Sequence, residues 1–290
     1  MKKLVLLFIV FIPYLAQAGG PWPQKKGGSY IKLSEWWIRF DRHFTDAGET
    51  DPNVTTGIYN TFLYGEYGIT DRLTGIANFN LYARNTMNEL QSATTSEIIV
   101  PGESLNTFGD IDLALKYGLT PTGSAWPVSV TLLLGIPTGE SAGGFSGNLQ
   151  TGDGEFNQML RFDAGHGFKV FDKASGYATA YAGFNNRTKG FSEEIRFGAE
   201  TGIQLCHDKL WFIGRLDVIE SLKNGETSAT AINSTSIFAN NTEFLSLGAE
   251  VNYYITPKLG VSASVAGAIR GEIIASAASY SVGVFLDLKG

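Results

Sequence analysis

In residues 109–119, GDIDLALKYGL, Asp110, Asp112, Ala114, Lys116 and Gly118 share one parity, and Ile111, Leu113, Leu115, Tyr117 and Leu119 the other. A period of two is that of a strand whose faces meet different surroundings. The apolar face needs a cover: a second sheet, a layer of helices, or lipid. The alternation recurs along the chain and predicts twelve strands, over 30–45, 55–69, 74–87, 107–120, 126–138, 155–170, 174–186, 192–206, 210–222, 242–256, 259–271 and 278–289. Most exceed the roughly five or six residues usual in globular strands. They reach the roughly 9–11 that cross a bilayer at a tilt.

The connections alternate between long (46–54, 88–106, 139–154, 187–191, 223–241, 272–277) and short (69–73, 120–125, 171–175, 207–209, 256–258). Short turns at one end and longer loops at the other are the habit of outer-membrane barrels, whose turns face the periplasm. Aromatics gather in two bands. Tyr67, Tyr117, Trp126, Phe168, Trp211, Tyr253 and Tyr254 lie near the short turns, and Phe40, Phe44, Phe79, Phe184, Phe244 and Tyr280 toward the far ends. Between them one parity is almost purely apolar, as in Val128, Val130, Leu132, Leu134 and Ile136. Two interfacial girdles around an apolar band point to lipid as the cover.

Composition agrees. Thirty-five glycines and 12 % aromatics suit a large closed β-structure better than a helical one. The first 18 residues, MKKLVLLFIVFIPYLAQA, have a basic start, a short apolar core and an Ala-Gln-Ala cleavage site, as a secretory signal does. Beyond them no apolar run approaches the length of a spanning helix. The net charge of −6 and the lack of a basic cluster argue against nucleic acid as partner. Cys206 is the single cysteine, which excludes an intrachain disulfide or a Cys-based metal site.

The opposite parity carries the charges. The inward positions expected to line the lumen are Glu35, Arg39, Asp41, Glu66, Arg84, Asp110, Asp112, Lys116, Arg161, Asp163, Glu194, Arg196, Glu200, Arg215, Asp217, Glu250 and Arg270. Tyr64, Tyr82, Tyr177, Tyr181 and Trp37 share that parity. Glu200 and Arg215 fall opposite or diagonal across one hairpin and are expected to pair. Such a lumen is either a water-filled path or a polar plug of mutually neutralised charges. His43, His166 and His207 lack ligand-like spacing, and no serine sits in a nucleophile elbow, so no catalytic or metal site is expected.

Three segments carry a family resemblance: FGDIDLALKYGL, WPVSVTLLLGIPTGE and TGDGEFNQML. Gly109, Asp110, Lys116 and Tyr117, then Pro137, Thr138 and Gly139, then Gly152 and Gly154 before Phe156, resemble the motifs of the phenol meta-pathway degradation (transporter-like) family of outer-membrane proteins. The resemblance covers roughly 107–222 and implies an outer-membrane barrel that admits small aromatic or hydrophobic compounds. The last alternation, Tyr280 to Leu288, is followed by Lys289 and Gly290, where such barrels commonly finish on an aromatic residue.

The expected molecule is all-β, a single transmembrane antiparallel up-and-down β-barrel of about 12 strands in a Gram-negative outer membrane. Residues 1–18 are its signal peptide, 19–29 a short N-terminal periplasmic segment too short for a plug domain, and 30–290 the barrel. Its expected function is passive passage of small solutes, without cofactor or enzymatic activity. Outer-membrane lipid, the solute and the barrel-insertion machinery are its expected partners. A closed barrel with a structural or surface role is the second class, and a membrane lipid hydrolase the third.

Overall fold

The computed structural model describes residues 20–171, 174–206, 209–226 and 237–289. The expected signal peptide lies outside the described residues. Twelve antiparallel strands follow one another around the wall. They are β1 (Ser29–Phe44), β2 (Thr50–Gly68), β3 (Leu73–Met87), β4 (Ile111–Gly118), β5 (Val128–Ile136), β6 (Asn157–Phe171), β7 (Ala174–Arg187), β8 (Glu194–Leu205), β9 (Leu210–Ser221), β10 (Glu243–Tyr254), β11 (Leu259–Glu272) and β12 (Ala278–Leu288). Each pairs with its neighbours in sequence, and β1 pairs with both β2 and β12, closing the barrel. Closure leaves the wall without the free edge that lipid could not satisfy.

The two faces differ as the alternation requires. On β4 Leu113, Leu115 and Tyr117 are exposed, while Ala114 and Lys116 are buried. Leu132, Leu160, Phe162, Phe197, Leu247, Val282, Val284 and Leu286 continue the exposed apolar face around the barrel. A soluble protein hides its apolar side chains and wets its polar ones. Here the order is reversed.

The fourth strand position is shared. Glu103–Thr107 pairs with the far half of β3, the chain breaks at 108–110, and β4 pairs with the near half. The strand expected over 107–120 is therefore shorter and interrupted. Ile274–Ala275 forms a similar short piece against His43 and Phe44 of β1.

Two bulges re-aim side chains. Between β2 and β3 the register runs from Thr61–Tyr82 to Phe62–Asn80, so Leu81 is the extra residue. Between β10 and β11 it runs from Leu245–Arg270 to Ser246–Ala268, so Ile269 is extra. One added residue exchanges the faces of everything beyond it. Arg84 and Arg270 therefore lie outside, correcting the inward expectation for both; so does Tyr82, which is 45 % exposed.

On β1 the period is intact but its sense is reversed. Lys32 reaches Glu250 inside, and Ile38 and Phe40 are buried, while Ile31 and Leu33 are exposed. Glu35, Arg39 and Asp41 share the outer parity with Ile31 and Leu33, which corrects their expected inward placement. Trp37 is outside as well, stacked on the exposed Tyr280 at 5.9 Å. The expected girdles thin out too. Trp211 and Tyr254 pack inside the barrel, as do Phe40 and Phe44, and Phe244 lines an internal cavity.

Candidate functional site: the barrel interior

The interior closes at the end where the short turns and both strand termini lie. The segment Gly20–Gly28 folds into this mouth rather than hanging below it. Pro21 is fully buried, Trp22 meets the edge of Tyr177 at 5.9 Å, and Gln24 donates to Thr74 Oγ1 (2.8 Å) and Glu66 Oε2 (3.0 Å). The close approach requires glycine on the wall. A Cβ on Gly118 would stand 2.9 Å from Pro23, and one on Gly165 would stand 2.8 Å from Pro21. Tyr30 stacks on Phe285 at 5.6 Å, Tyr254 meets Phe285 edge-on at 5.0 Å, and Tyr177 packs on Trp211 at 5.5 Å. This segment, too short for a plug domain, thus forms part of a packed floor.

Above the floor the wall carries ion pairs. Glu200 and Arg215 are register partners across the β8–β9 hairpin, joined at 2.5 Å as the sequence expects. Arg215 also binds Glu250 (2.5 Å), which binds Lys32 (3.1 Å), linking β8, β9, β10 and β1. Tyr177 donates to Glu200, and Tyr64 donates to Glu66, which also holds the floor segment. Higher up, Arg161 binds Asp163 (2.6 Å) and lies over the ring of Tyr181 (3.7 Å), whose hydroxyl donates to Asp217 (2.7 Å). Arg196 binds Glu194 at 2.6 Å. Around Met159, Arg161, Tyr181, Arg196, Asp217, Ile219, Phe244 and Ser246 a cavity of about 330 Å³ remains.

At the loop end, Arg187 is the hub. Its side chain is 4 % exposed and contacts Asp153 (3.2 Å), Glu155 (2.8 Å) and Glu194 (2.7 Å). Asp110, in the break before β4, accepts from the backbone N–H groups of Gly139 (2.8 Å) and Asp153 (3.2 Å). It thereby ties the 139–154 loop to the wall. Burial pushes its carboxyl up to about 6, against the two N–H bonds that lower it.

The interior therefore brings together Glu66, Asp112, Lys116, Arg161, Asp163, Glu194, Arg196, Glu200, Arg215, Asp217 and Glu250. Asp110 serves the loop. Glu35, Arg39, Asp41, Arg84 and Arg270 are elsewhere: Glu35 accepts from Thr61 Oγ1 on the outer face, and Arg270 pairs with Glu220. Lys32, Arg187 and Asp287 also face inward and are missing from the expected lining. Arg187 and Asp287 were legible in the chain, since Arg187 continues the 183–185 parity and Asp287 alternates with Leu286 and Leu288, whereas Lys32 was hidden by the reversed sense of β1. Asp153 lies in a loop, where no period could have marked it; Glu155 opens the strand expected over 155–170 on the parity of Arg161 and Asp163, and was legible there although the observed strand begins at Asn157.

No family model matches the chain, and no curated protein matches it in sequence. Solved structures do resemble it. The COG4313 outer membrane channel from Pseudomonas putida F1 is 12 % identical, with a TM-score of 0.59 over 94 % of this chain and 100 % of that one. The beta domain of the Bordetella autotransporter BrkA is 13 % identical, with a TM-score of 0.50 over 91 % of this chain and 100 % of that one. At these identities the likeness is one of fold, and the fold of this chain is that of the outer-membrane β-barrels.

Proposed function

We propose that this chain is an outer-membrane channel for the passive passage of small solutes, aromatic ones among them. The observation that carries this reading is the inverted wall: apolar outside, and inside a girdle of ion-paired side chains around a cavity. The eleven inward charges named above are the lining of that path, and lipid and solute are its partners. The motif resemblance to the phenol meta-pathway family and the likeness in fold to the COG4313 channel support the same reading. Paired charges of both signs suit weak binding along a wall and diffusion down a gradient. A lumen for acidic oligosaccharides would be dominated by Arg and Lys.

The packed floor favours a second reading, a permanently closed barrel with a structural role. Planar-bilayer recordings separate the two. Refolded protein without a leader should give discrete conductance steps, enlarged when Gly118→Val pushes Pro23 from the mouth. Folded protein that never conducts, with the wild-type or the loosened floor, would leave only the closed barrel.

A further inference from the structure

The charges around the internal cavity do not cancel. Arg161 gives Nε and Nη2 to Asp163 (3.0 and 2.6 Å), and Arg196 gives the same two nitrogens to Glu194 (2.8 and 2.6 Å). Each guanidinium is thus neutralised by a carboxylate of its own. Asp217, which lines the same cavity, has no such match. Its Oδ1 accepts from the Tyr181 hydroxyl at 2.7 Å. Among the described residues it forms no ion pair, and its Oδ2 accepts no hydrogen bond. Two guanidiniums against three carboxylates leave one negative charge uncompensated, and Asp217 carries it.

The surroundings of Asp217 are set by two neighbouring strands. Asp217 on β9 is the register partner of Ser246 on β10, and Ile219, two residues along β9, is the partner of Phe244. All four side chains line the cavity. Facing residues on paired strands stand about 5 Å apart, and residues two apart on one strand about 6.6 Å. One compact patch therefore has a carboxylate and a hydroxyl at one end and an apolar, aromatic surface at the other. Ser246 Oγ makes no hydrogen bond among the described residues, so both oxygens are open to a guest. On the other side, the partner of Asp217 is Gly198 of β8. A Cβ there would stand 2.7 Å from the Tyr181 ring, so the glycine lets that ring cross over and fix the carboxylate.

We propose that this patch binds a primary arylalkylammonium ion, its ammonium group on Asp217 and Ser246 and its ring against Ile219 and Phe244. An ammonium group brings three N–H donors and the charge that Asp217 lacks. One or two methylenes between nitrogen and ring span the step from the polar pair to the apolar pair. The cavity, about 330 Å³, stands at the small end of ligand sites and suits a single ring. The proposal rests on reading the interior as a solute path, and it makes Asp217 the selective group on that path. A neutral aromatic alcohol gains the apolar surface and forgoes the charge. A short alkylammonium does the opposite.

Titration calorimetry on the refolded protein in a non-ionic detergent tests this with phenethylammonium, phenethyl alcohol and ethylammonium. Phenethylammonium should bind at least about tenfold more tightly than either, the difference expected of hydrogen bonds to a charged group. Asp217→Asn keeps the shape and an acceptor for Tyr181 while removing the charge. It should weaken phenethylammonium about tenfold and leave phenethyl alcohol unchanged. Partition into the micelle is common to both chains and cancels. Equal binding of the ammonium and the alcohol to the wild-type chain, or no binding of the ammonium, would overturn the proposal. Those two outcomes need no variant, so the test stands even where Asp217→Asn fails to fold. Conductance of the same sample is a separate readout. Binding without conductance removes the channel and keeps the site; conductance without binding does the reverse.

Discussion

Two parts of the inner wall have opposite character although one barrel holds both. Across β6 to β10 the inward charges are tied in pairs: Arg161 with Asp163, Arg196 with Glu194, and Arg215 with Glu200 and Glu250. Toward the loop ends of β1 and β2 the inward positions are Ile38, Phe40 and Ile58, packed with Ala275 of the segment that precedes β12. Outside them stand Glu35, Arg39 and Asp41. Alternation says that two faces differ; it does not say which is inner. What settles that is the neighbour across the interior. Over β6 to β10 it is another polar chain, and at the far ends of β1 and β2 it is a loop that brings its own apolar side chains.

The sharpest way to break the comparison is to remove the hub of the charged part. Arg187→Ala leaves Asp153, Glu155 and Glu194 buried without their shared cation. Breaking a buried pair from one side costs about 3–5 kcal/mol. Urea unfolding in detergent should show a fall of that order, whereas an unchanged midpoint would mean that the network does not hold the loop to the wall. Phe40→Ala, in the apolar part, empties a site 3 % exposed and should cost about 3 kcal/mol by the same measurement. Phe40→Tyr, adding a hydroxyl among apolar neighbours, should cost less than the alanine. If both are silent, the interior at that end is wet rather than packed.

The contrast also explains what was legible. Strand number, order and the lipid-facing side of β4 to β10 follow from the period, because there lipid on one side and paired charges on the other both oppose any slip. Glu200 and Arg215 could be paired from sequence because the short connection expected at 207–209 leaves little choice of register between their strands. Arg84 and Arg270 could not be placed, since each lies beyond an extra residue, Leu81 or Ile269, that no pattern announces. Glu35, Arg39 and Asp41 needed the apolar loop residues opposite Ile38 and Phe40, which are distant in sequence. Arg161 and Arg196 were among the expected inward charges, but that both flank Gly183 on one row is recognisable only from the register of three strands.

A milder test concerns the floor, which faces both parts from below. Gly118→Val places a side chain against Pro23, and overpacking of this kind costs about 1–3 kcal/mol if the segment stays in place. Relief by movement of the segment should instead leave the unfolding midpoint close to wild type and make residues 20–28 open to protease. Gly214, where an added Cβ would meet only Thr201 at 3.9 Å, provides the control for added bulk alone.

Asp110 gives a smaller effect with a defined sign. Its carboxyl sits at about 6 in the folded chain and near the ordinary value of 3.8 when unfolded. Between about pH 4 and 6 the folded state therefore holds the extra proton, and this group's contribution to stability falls as pH rises through that window. The difference in unfolding free energy between wild type and Asp110→Asn should change across pH 4–6 and be flat above it. A difference that is constant from pH 4 to 8 would show that burial does not perturb Asp110.

The smallest expected effect separates inner from outer charges most directly. Arg270 is 67 % exposed in its side chain and pairs with Glu220 outside the wall. At 0.1 M salt charges in water are screened beyond about 10 Å, and the strand wall separates this pair from the interior. Arg270→Gln should leave the reversal potential in a salt gradient where it was. Arg196→Gln removes the same charge from the cavity lining, where low-dielectric walls focus its field on passing ions. It should shift the reversal potential toward cation preference. Equal shifts would mean that the current is governed by charge at the loop mouth rather than by the wall. No shift from either would mean that ions take a route past neither residue. A shift from Arg196 alone places the selective step inside, on the row that Arg161, Gly183 and Arg196 share.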